Sequence, residues 1–391
     1  MARPTRCRRL LLLLLPVALT IGLMPATAHA NAGPPRVGGD TGGPLLPGKS
    51  DQVHVVREVL RFDLHPDLSQ ATVTARYRLA NRGPALDDQP FVFVVQDAGD
   101  RANLTASWQG EPVPVRMEWG QFAEDELAEM ANAWTTVEVW MDPVTGQPYT
   151  PGDFAGRDPV LRYFLFSLDL PAGAEGELVV TYDHVAAWDR TRYAYRVHQY
   201  HYLLLPARGW ASFGPLEIRV AAPEGSRYYF AGNLGFRREG SEYVAEYPGL
   251  PDTNLAFAVM NRSGLFLGPR PAPYYWLGFA LVLVLATAIG AGIGWVAGRL
   301  PGRGWAVGVG TLGGLLLGGA LDVWLAVNLL ISLPALREQP YVPVFIGIGQ
   351  GLAGAVVSAV SAGRVVRRTW PGRSGGGRLC GDGRQPGDER A

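Results

Sequence analysis

A carboxylate inside an apolar segment is the residue of this sequence with the clearest chemical potential. Asp322 lies in the apolar stretch over residues 305–333, followed by Asn328, and Gln350 lies in a further stretch over residues 341–363. A charge at the centre of a bilayer costs about 2.5–3.5 kcal/mol on insertion scales, so we expect Asp322 to face protein or water. Two interpretations stay open. In the first, Asp322, Asn328 and Gln350 form an intramembrane polar site for a proton or a cation, and desolvation keeps Asp322 partly protonated. In the second, Asp322 has a structural role: it makes a hydrogen bond, for example to Gln350, or the span is shifted so that Asp322 lies closer to the membrane surface.

The histidines come closest to a metal-binding pattern at His198 and His201, three positions apart. On a β-strand the side chains at i and i+3 point to opposite faces, so we expect the two imidazoles to diverge. The sequence has no H-E-x-x-H motif. We therefore predict no catalytic residue, no cofactor and no metal ligand, and keep His198 and His201 as weak candidates for an unrecognised hydrolase site.

Aromatic residues are dense over residues 188–210, and acidic residues recur in the Pro/Gly-rich loop over residues 142–160. The aromatic residues suit either cross-strand pairs, which we favour, or a stacking platform for sugars or peptides. In the loop, Asp142, Asp153 and Asp158 do not follow the spacing of a calcium loop, so we favour solvated turns over ion binding.

Charge separates the chain into two parts. The 391 residues carry 35 Lys or Arg and 35 Asp or Glu, but residues 31–273 hold 21 basic and 30 acidic ones. That segment has a net charge of −9 and the remainder +9, which excludes a basic nucleic-acid-binding surface on the acidic part. Neither cysteine, Cys7 or Cys380, lies in the acidic segment, so no disulfide stabilises it.

The ends of the chain carry targeting and membrane signals. Residues 1–30 combine four arginines, a short apolar run and an A-x-A end, which is typical of a secretory signal peptide. Three apolar stretches, over residues 274–298, 305–333 and 341–363, each reach the roughly 20 residues needed to cross a bilayer. Arginines follow the first and third stretches, so the positive-inside bias places the tail over residues 364–391 in the cytoplasm and residues 31–273 outside the cell membrane.

The exported segment has the pattern of a β-rich domain. Residues 31–50 are rich in Gly and Pro and are predicted to form a flexible leader. Residues 51–270 contain many short alternating runs separated by turn residues, which indicates an antiparallel β-sandwich of one or two units. The alternation of Val73, Ala75, Tyr77 and Leu79 with polar residues is the clearest example. One short helix is expected over residues 122–134.

Glycines recur at four-residue spacing in the apolar stretches. This spacing places each set on one helix face, where the missing Cβ allows close helix contact in an all-α three-helix transmembrane bundle or an oligomer. The predicted packing positions are Gly290, Gly294, Gly298, Gly310, Gly314, Gly318, Gly347 and Gly351.

These features predict a membrane-anchored bacterial surface protein with the lipid bilayer and a protein or envelope component as partners. Its exported domain would bind without catalysis, no nucleic acid would be bound, and the glycine faces could support a homo-oligomer. The alternatives are an ion- or proton-coupled membrane component that uses Asp322, and an extracytoplasmic hydrolase.

Overall fold

A computed structural model describes residues 36–37, 41–47, 51–97, 103–119, 139–150, 160–224, 227–300, 303–333 and 342–369. The predicted signal peptide, the helix expected over residues 122–134, Asp153, Asp158 and the tail beyond residue 369 lie outside these residues. The described residues form two units, a β-rich one up to residue 274 and a helical one from residue 275 onward.

The β-rich unit is built from short and medium strands, in chain order as follows. They are β1 (Arg36–Val37), β2 (Thr41–Pro47), β3 (Val53–Leu64), β4 (Gln70–Asn81), β5 (Leu86–Asp97), β6 (Leu104–Trp108), β7 (Glu111–Val113), β8 (Arg116–Trp119), β9 (Trp140–Met141), β10 (Pro148–Tyr149), β11 (Val160–Leu170), β12 (Glu175–Val185), β13 (Ala187–Asp189), β14 (Val197–Tyr202), β15 (Leu216–Ala221), β16 (Tyr228–Gly232), β17 (Arg237–Glu239), β18 (Glu242–Tyr247) and β19 (Leu255–Asn261).

The described strands form two large sheets and one small hairpin. The first sheet has the order β1-β13-β14-β2-β5-β11-β8, with β19 paired to β14 and β16 paired to β19. The second has the order β17-β18-β15-β3-β4-β12-β6-β7, and β9 pairs with β10. Antiparallel pairing was expected throughout, but β14 with β2 and β15 with β3 are parallel. Parallel neighbours require long crossovers, which local turn signals do not reveal.

One hydrophobic core takes side chains from both large sheets. Phe62 of β3 packs edge to face on Phe257 of β19, with ring centroids 5.1 Å apart. The predicted alternation in β4 is confirmed, because Val73, Ala75 and Tyr77 are buried. The buried side chains therefore follow the period-two pattern of the sequence.

Two segments differ from their predictions. The expected leader over residues 31–50 contains β1 and β2, and Leu45 of β2 is fully buried in the core. The aromatic-rich run over residues 188–210, favoured for cross-strand pairs, is strand only in β13 and β14, and β14 ends before a 3₁₀ helix (Leu205–Gly209). Pro206 explains this end, because proline lacks the N–H that a continuing strand would donate.

The helical unit contains three rods that are long and apolar enough to be candidate membrane spans. The first is α1 (Ala272–Ala297), which begins within the last residues of the β-rich unit. The second is continuous through α2 (Arg303–Gly313), the π-helical segment π1 (Gly314–Gly318) and α3 (Gly319–Ser332). The third, α4 (Val342–Thr369), runs past the predicted end at residue 363, because the sequence has no proline between that residue and Pro371 and the arginines in the last turn suit the helix dipole.

Candidate functional site

A single serine joins the three helical rods of the second unit. The Ser358 hydroxyl oxygen on α4 lies 2.7 Å from Asp322 Oδ2 on α3. The same oxygen lies 2.8 Å from the carbonyl oxygen of Ala286 on α1. Ser358 is therefore a polar contact point among helices whose other surfaces are almost entirely apolar.

Glycines allow the helices to meet at this serine. A Cβ on Gly290 of α1 would overlap the backbone of Ser358, and one on Gly314 would lie 2.8 Å from the Ser358 carbonyl oxygen. A Cβ on Gly318 would lie 2.9 Å from Ser358 Cβ. Larger residues at these positions would separate the backbones, so the glycines set the distance at which Asp322 and Ala286 reach the hydroxyl.

Asp322 is enclosed by protein. The residue is 1% exposed, and its Oδ1 atom has no hydrogen-bond partner among the described residues. Gly354 of α4 packs against the carboxyl group, since a Cβ there would lie 3.2 Å from Asp322 Oδ2. The π-helical segment ends four residues before Asp322, and such segments in α-helices are frequent at functional sites.

The other two predicted polar residues lie elsewhere. Asn328 is exposed and donates from its amide to the Trp324 carbonyl oxygen of its own helix, at 2.7 Å. Gln350 is buried and donates to the Tyr275 carbonyl oxygen at 2.9 Å. Ser358, not Gln350, is the hydrogen-bond partner of Asp322.

Sequence reasoning missed Ser358. The available signal was its spacing, because Gln350, Gly354 and Ser358 recur every four residues and so share one face of α4. An isolated serine in an apolar helix is common, however, and only the rotation of α4 toward α3 distinguishes it.

An added Cβ on any of the eight glycines singled out from the sequence would meet atoms of another helix. A Cβ added to any of them would come closer than 3.0 Å to an atom of a different rod, or of Thr369 at the end of α4 in the case of Gly298. By contrast, a Cβ on Gly292 or Gly349 would meet no atom within 4 Å. The positions that contact a neighbouring helix are Gly290, Gly294, Gly298, Gly310, Gly314, Gly318, Gly347 and Gly351.

In the β-rich unit, arginines stack on a tryptophan. The Arg196 and Arg190 guanidinium carbons lie 4.6 Å and 5.4 Å from the centroid of Trp188. Trp188 on β13 is half-buried and pairs in register with His198 on β14. Because both arginines stack on Trp188 and His198 is its cross-strand neighbour, these four residues form one surface, which we call the Trp188 face.

His198 forms the buried floor of the Trp188 face. Burial lowers the pKa of His198 to about 4, with a further contribution from the positive charge of Arg196. The imidazole is therefore neutral at pH 7, and it adds an aromatic ring rather than a charge to this surface.

His201 lies on the opposite face of β14, as the strand spacing requires. Its Nε2 atom lies 3.3 Å from the Val139 carbonyl oxygen, and its ring packs near Trp140 with centroids 6.1 Å apart. Burial lowers its pKa to about 4. Among the residues that the structure describes, no group of three or more His, Cys, Asp or Glu is placed to hold a metal ion.

Asp142 belongs to a buried network instead of a solvated turn. The Tyr193 hydroxyl donates to the carboxylate at 2.7 Å, and Arg192 Nη1 lies 3.1 Å from Asp142 Oδ2. Burial raises the pKa of Asp142, but hydrogen bonds from Tyr193, Val144 and Thr145 and the Arg192 charge outweigh it and hold the pKa below its usual value. Arg192 also stacks on the Tyr149 ring, 3.9 Å from its centroid.

Comparisons with known proteins add no family. No protein-family model and no curated protein matches the sequence. Among solved structures, a Legionella pneumophila protein described as nutrient-binding matches 78% of this chain and 89% of its own, at 11% identity and a TM-score of 0.40. An M1 zinc metallopeptidase from Deinococcus radiodurans matches 55% of this chain and 43% of its own, at 12% identity and a TM-score of 0.26. Leukotriene A4 hydrolase from Saccharomyces cerevisiae matches 61% and 32%, at 10% identity and a TM-score of 0.29. Similarities at these TM-scores carry no argument about function.

Proposed function

We propose that this protein is a membrane-anchored surface protein whose exported β-sandwich binds a protein or envelope component without catalysis. Three candidate spans and a β-rich unit with one core support the anchored domain plan. The exported position of residues 31–273 and the cytoplasmic tail rest on the signal-peptide pattern and on the arginine placement.

The Trp188 face is the observation that carries the binding proposal. Tryptophan and arginine are the residues most enriched at the energetic centres of protein interfaces. Here Arg190 and Arg196 lie against Trp188 within a segment whose net charge is −9, so the face offers a local positive and aromatic surface. Such a surface suits an anionic partner in the cell envelope.

The experiment measures binding of the full chain in lipid nanodiscs to isolated envelope fractions. We expect Trp188→Ala and Arg196→Ala to weaken binding about tenfold each, which corresponds to about 1.4 kcal/mol. Arg262→Ala is the matched control, because Arg262 stacks on Tyr229 at 5.2 Å but lies outside the Trp188 face. Equal binding by all four proteins would reject the Trp188 face as the binding surface.

The eight packing glycines have a structural role in this proposal. Each contacts a helix of the same chain, so their faces are occupied within the protomer. Any homo-oligomer would therefore use other surfaces, and cross-linking in nanodiscs tests whether one forms.

A second candidate function is a proton- or cation-coupled membrane component that uses Asp322. The specific observation in its favour is a buried carboxyl group amid apolar helices, one of whose oxygens has no hydrogen-bond partner within the described part of the chain. Flux measured in proteoliposomes tests it, and unchanged proton and sodium flux in Asp322→Asn would reject it.

A further inference from the structure

The geometry at Ser358 assigns a resident proton to Asp322. We infer that Asp322 carries this proton on Oδ2 and donates a hydrogen bond to Ser358 Oγ, while the Ser358 hydroxyl donates a hydrogen bond to the Ala286 carbonyl oxygen, so that the three helices share a proton-binding site. This inference deepens the second candidate function, but it can hold or fail independently of flux.

Hydrogen counting supports the assignment. A serine hydroxyl has one hydrogen to donate and two lone pairs to accept with. Ser358 Oγ lies at hydrogen-bond distance from two oxygens, 2.7 Å from Asp322 Oδ2 and 2.8 Å from the Ala286 carbonyl oxygen. The carbonyl oxygen can only accept, and an ionised carboxylate can also only accept. An ionised Asp322 would leave one of the two short contacts without a hydrogen.

A protonated Asp322 satisfies both contacts. Its Oδ2–H donates to Ser358 Oγ, and the Ser358 hydroxyl donates to the Ala286 carbonyl oxygen. Each of the two short O···O contacts therefore has one hydrogen between its oxygens. Both distances lie in the normal range for O–H···O hydrogen bonds. The remaining Oδ1 atom, unpartnered among the described residues, is then a neutral carbonyl oxygen, which is less costly to bury than a charged one.

The packing around the carboxyl group favours a proton over a metal cation. Gly354 packs against Asp322, and Gly318 packs against Ser358. Both contacts are so close that an added methyl group at either glycine would be crowded. A bound metal cation needs several oxygen ligands around it. The described polar contacts at Ser358 supply two oxygens besides its own, both already within hydrogen-bond distance.

Among the described residues of the three rods, no second ionisable group lies beside Asp322 to compete for the proton. Asp322 is the one ionisable side chain in the helix interiors, and the next along the three rods are Tyr275, Arg303 and Arg364, at or near their ends. The described contacts of Asp322 with α4 are Ser358 and Gly354, and the Ala286 carbonyl oxygen of α1 contacts Ser358.

Infrared difference spectroscopy of the full chain in nanodiscs tests the inference. We expect a carbonyl band of a protonated carboxyl group at pH 7 that disappears in Asp322→Asn and shifts, without disappearing, in Ser358→Ala. The spectra are taken in a Glu58→Gln background, because burial raises the pKa of Glu58 to about 8 and this β-rich-unit residue would add a similar band. Absence of an Asp322-dependent band at pH 7 would overturn the inference.

Thermal unfolding supplies a second measurement that does not depend on the spectroscopy. An asparagine amide donates to Ser358 Oγ as a protonated carboxyl group does, so we expect Asp322→Asn to keep its melting temperature within a few degrees. Asp322→Leu cannot donate and should lose stability by comparison. Equal losses in both variants would contradict a donating Asp322. A band with no proton flux would leave the resident proton in place and reject only the coupled function.

Discussion

Tyr77 of β4 and Tyr202 of β14 place their hydroxyl oxygens 3.2 Å apart, which joins the two large sheets through a polar contact inside their shared core. Glu58 lies beside this pair and is 2% exposed. Burial raises the pKa of Glu58 to about 8, and a hydrogen bond from Tyr77 only partly opposes this effect. The core therefore contains a carboxyl group that is mostly protonated at pH 7.

The first prediction concerns the pH dependence of stability. Glu58 has a folded pKa of about 8 against an ordinary value of 4.5, so between these values the folded state binds more protons than the unfolded state. The Glu58 contribution to stability is thus fully present below about pH 4.5, and it falls as the pH rises until it is lost above about pH 8. In Glu58→Gln this decline should be absent from the melting temperature profile.

A comparison of the two profiles isolates Glu58 from the exposed acids. Asp63→Asn is the control, because Asp63 lies on the same strand but pairs with Arg61 on the half-exposed face. Wild type and Asp63→Asn should show the same decline at neutral to alkaline pH. A Glu58→Gln profile that matches theirs would show that Glu58 does not titrate in the core.

The second prediction concerns the Asp142 network. Tyr193→Phe removes the hydroxyl that donates to the buried Asp142 carboxylate, and it should cost about 1–3 kcal/mol in the free energy of unfolding. Because the Asp142 pKa is depressed, the bond contributes above the ordinary value of 3.8 and is lost as the pH falls through the folded pKa. Tyr195→Phe is the control, since its hydroxyl donates to the Ser263 carbonyl oxygen at an exposed site. Equal effects would mean that the network adds no stability.

Local sequence patterns were sufficient for most of the architecture. The alternation in β4 and the apolar length of the three rods each reflect burial of one segment against its surroundings, which composition and period reveal. The strand β2 was missed, because Thr41–Pro47 is rich in Gly and Pro and has no alternation. Its burial comes from its position between β14 and β5, which depends on partners distant in sequence.

The candidate sites likewise contain some residues that local sequence patterns indicate and others that depend on contacts distant in sequence. The cost of a carboxylate in an apolar segment singles out Asp322, which is buried, and four-residue spacing singles out glycines at which an added Cβ would meet another helix. The partner Ser358 was not identifiable, because the choice between Gln350 and Ser358 depends on helix rotation. The Trp188 face was also missed, since it forms only where the turn between β13 and β14 brings Arg196 back to Trp188.

The third prediction compares glycines in matched pairs. Gly290→Leu and Gly351→Leu place a side chain against Ser358 and Val323, whereas Gly292→Leu and Gly349→Leu project into space with no atom within 4 Å. We expect the first two variants to lose about 1–3 kcal/mol or more through overpacking, and the other two to stay near wild type. Thermal unfolding in nanodiscs measures the difference. Similar losses across all four would show that glycine content, and not helix contact, determines stability.

The last prediction concerns the segment that leads into α1. The Tyr274 hydroxyl accepts from the Leu267 backbone N–H at 3.0 Å and donates to the Gly268 carbonyl oxygen at 3.1 Å, which closes a loop within the last residues of the β-rich unit. Tyr274→Phe leaves the Leu267 amide without this acceptor, so its hydrogen exchange should accelerate roughly tenfold as the loop opens. Tyr195→Phe is the control, because it loses a bond to Ser263 just outside the loop and should leave the Leu267 amide unchanged. If Leu267 exchanges at the wild-type rate in Tyr274→Phe, other contacts such as the Phe266 ring on residue 274, 5.3 Å away, hold the loop closed.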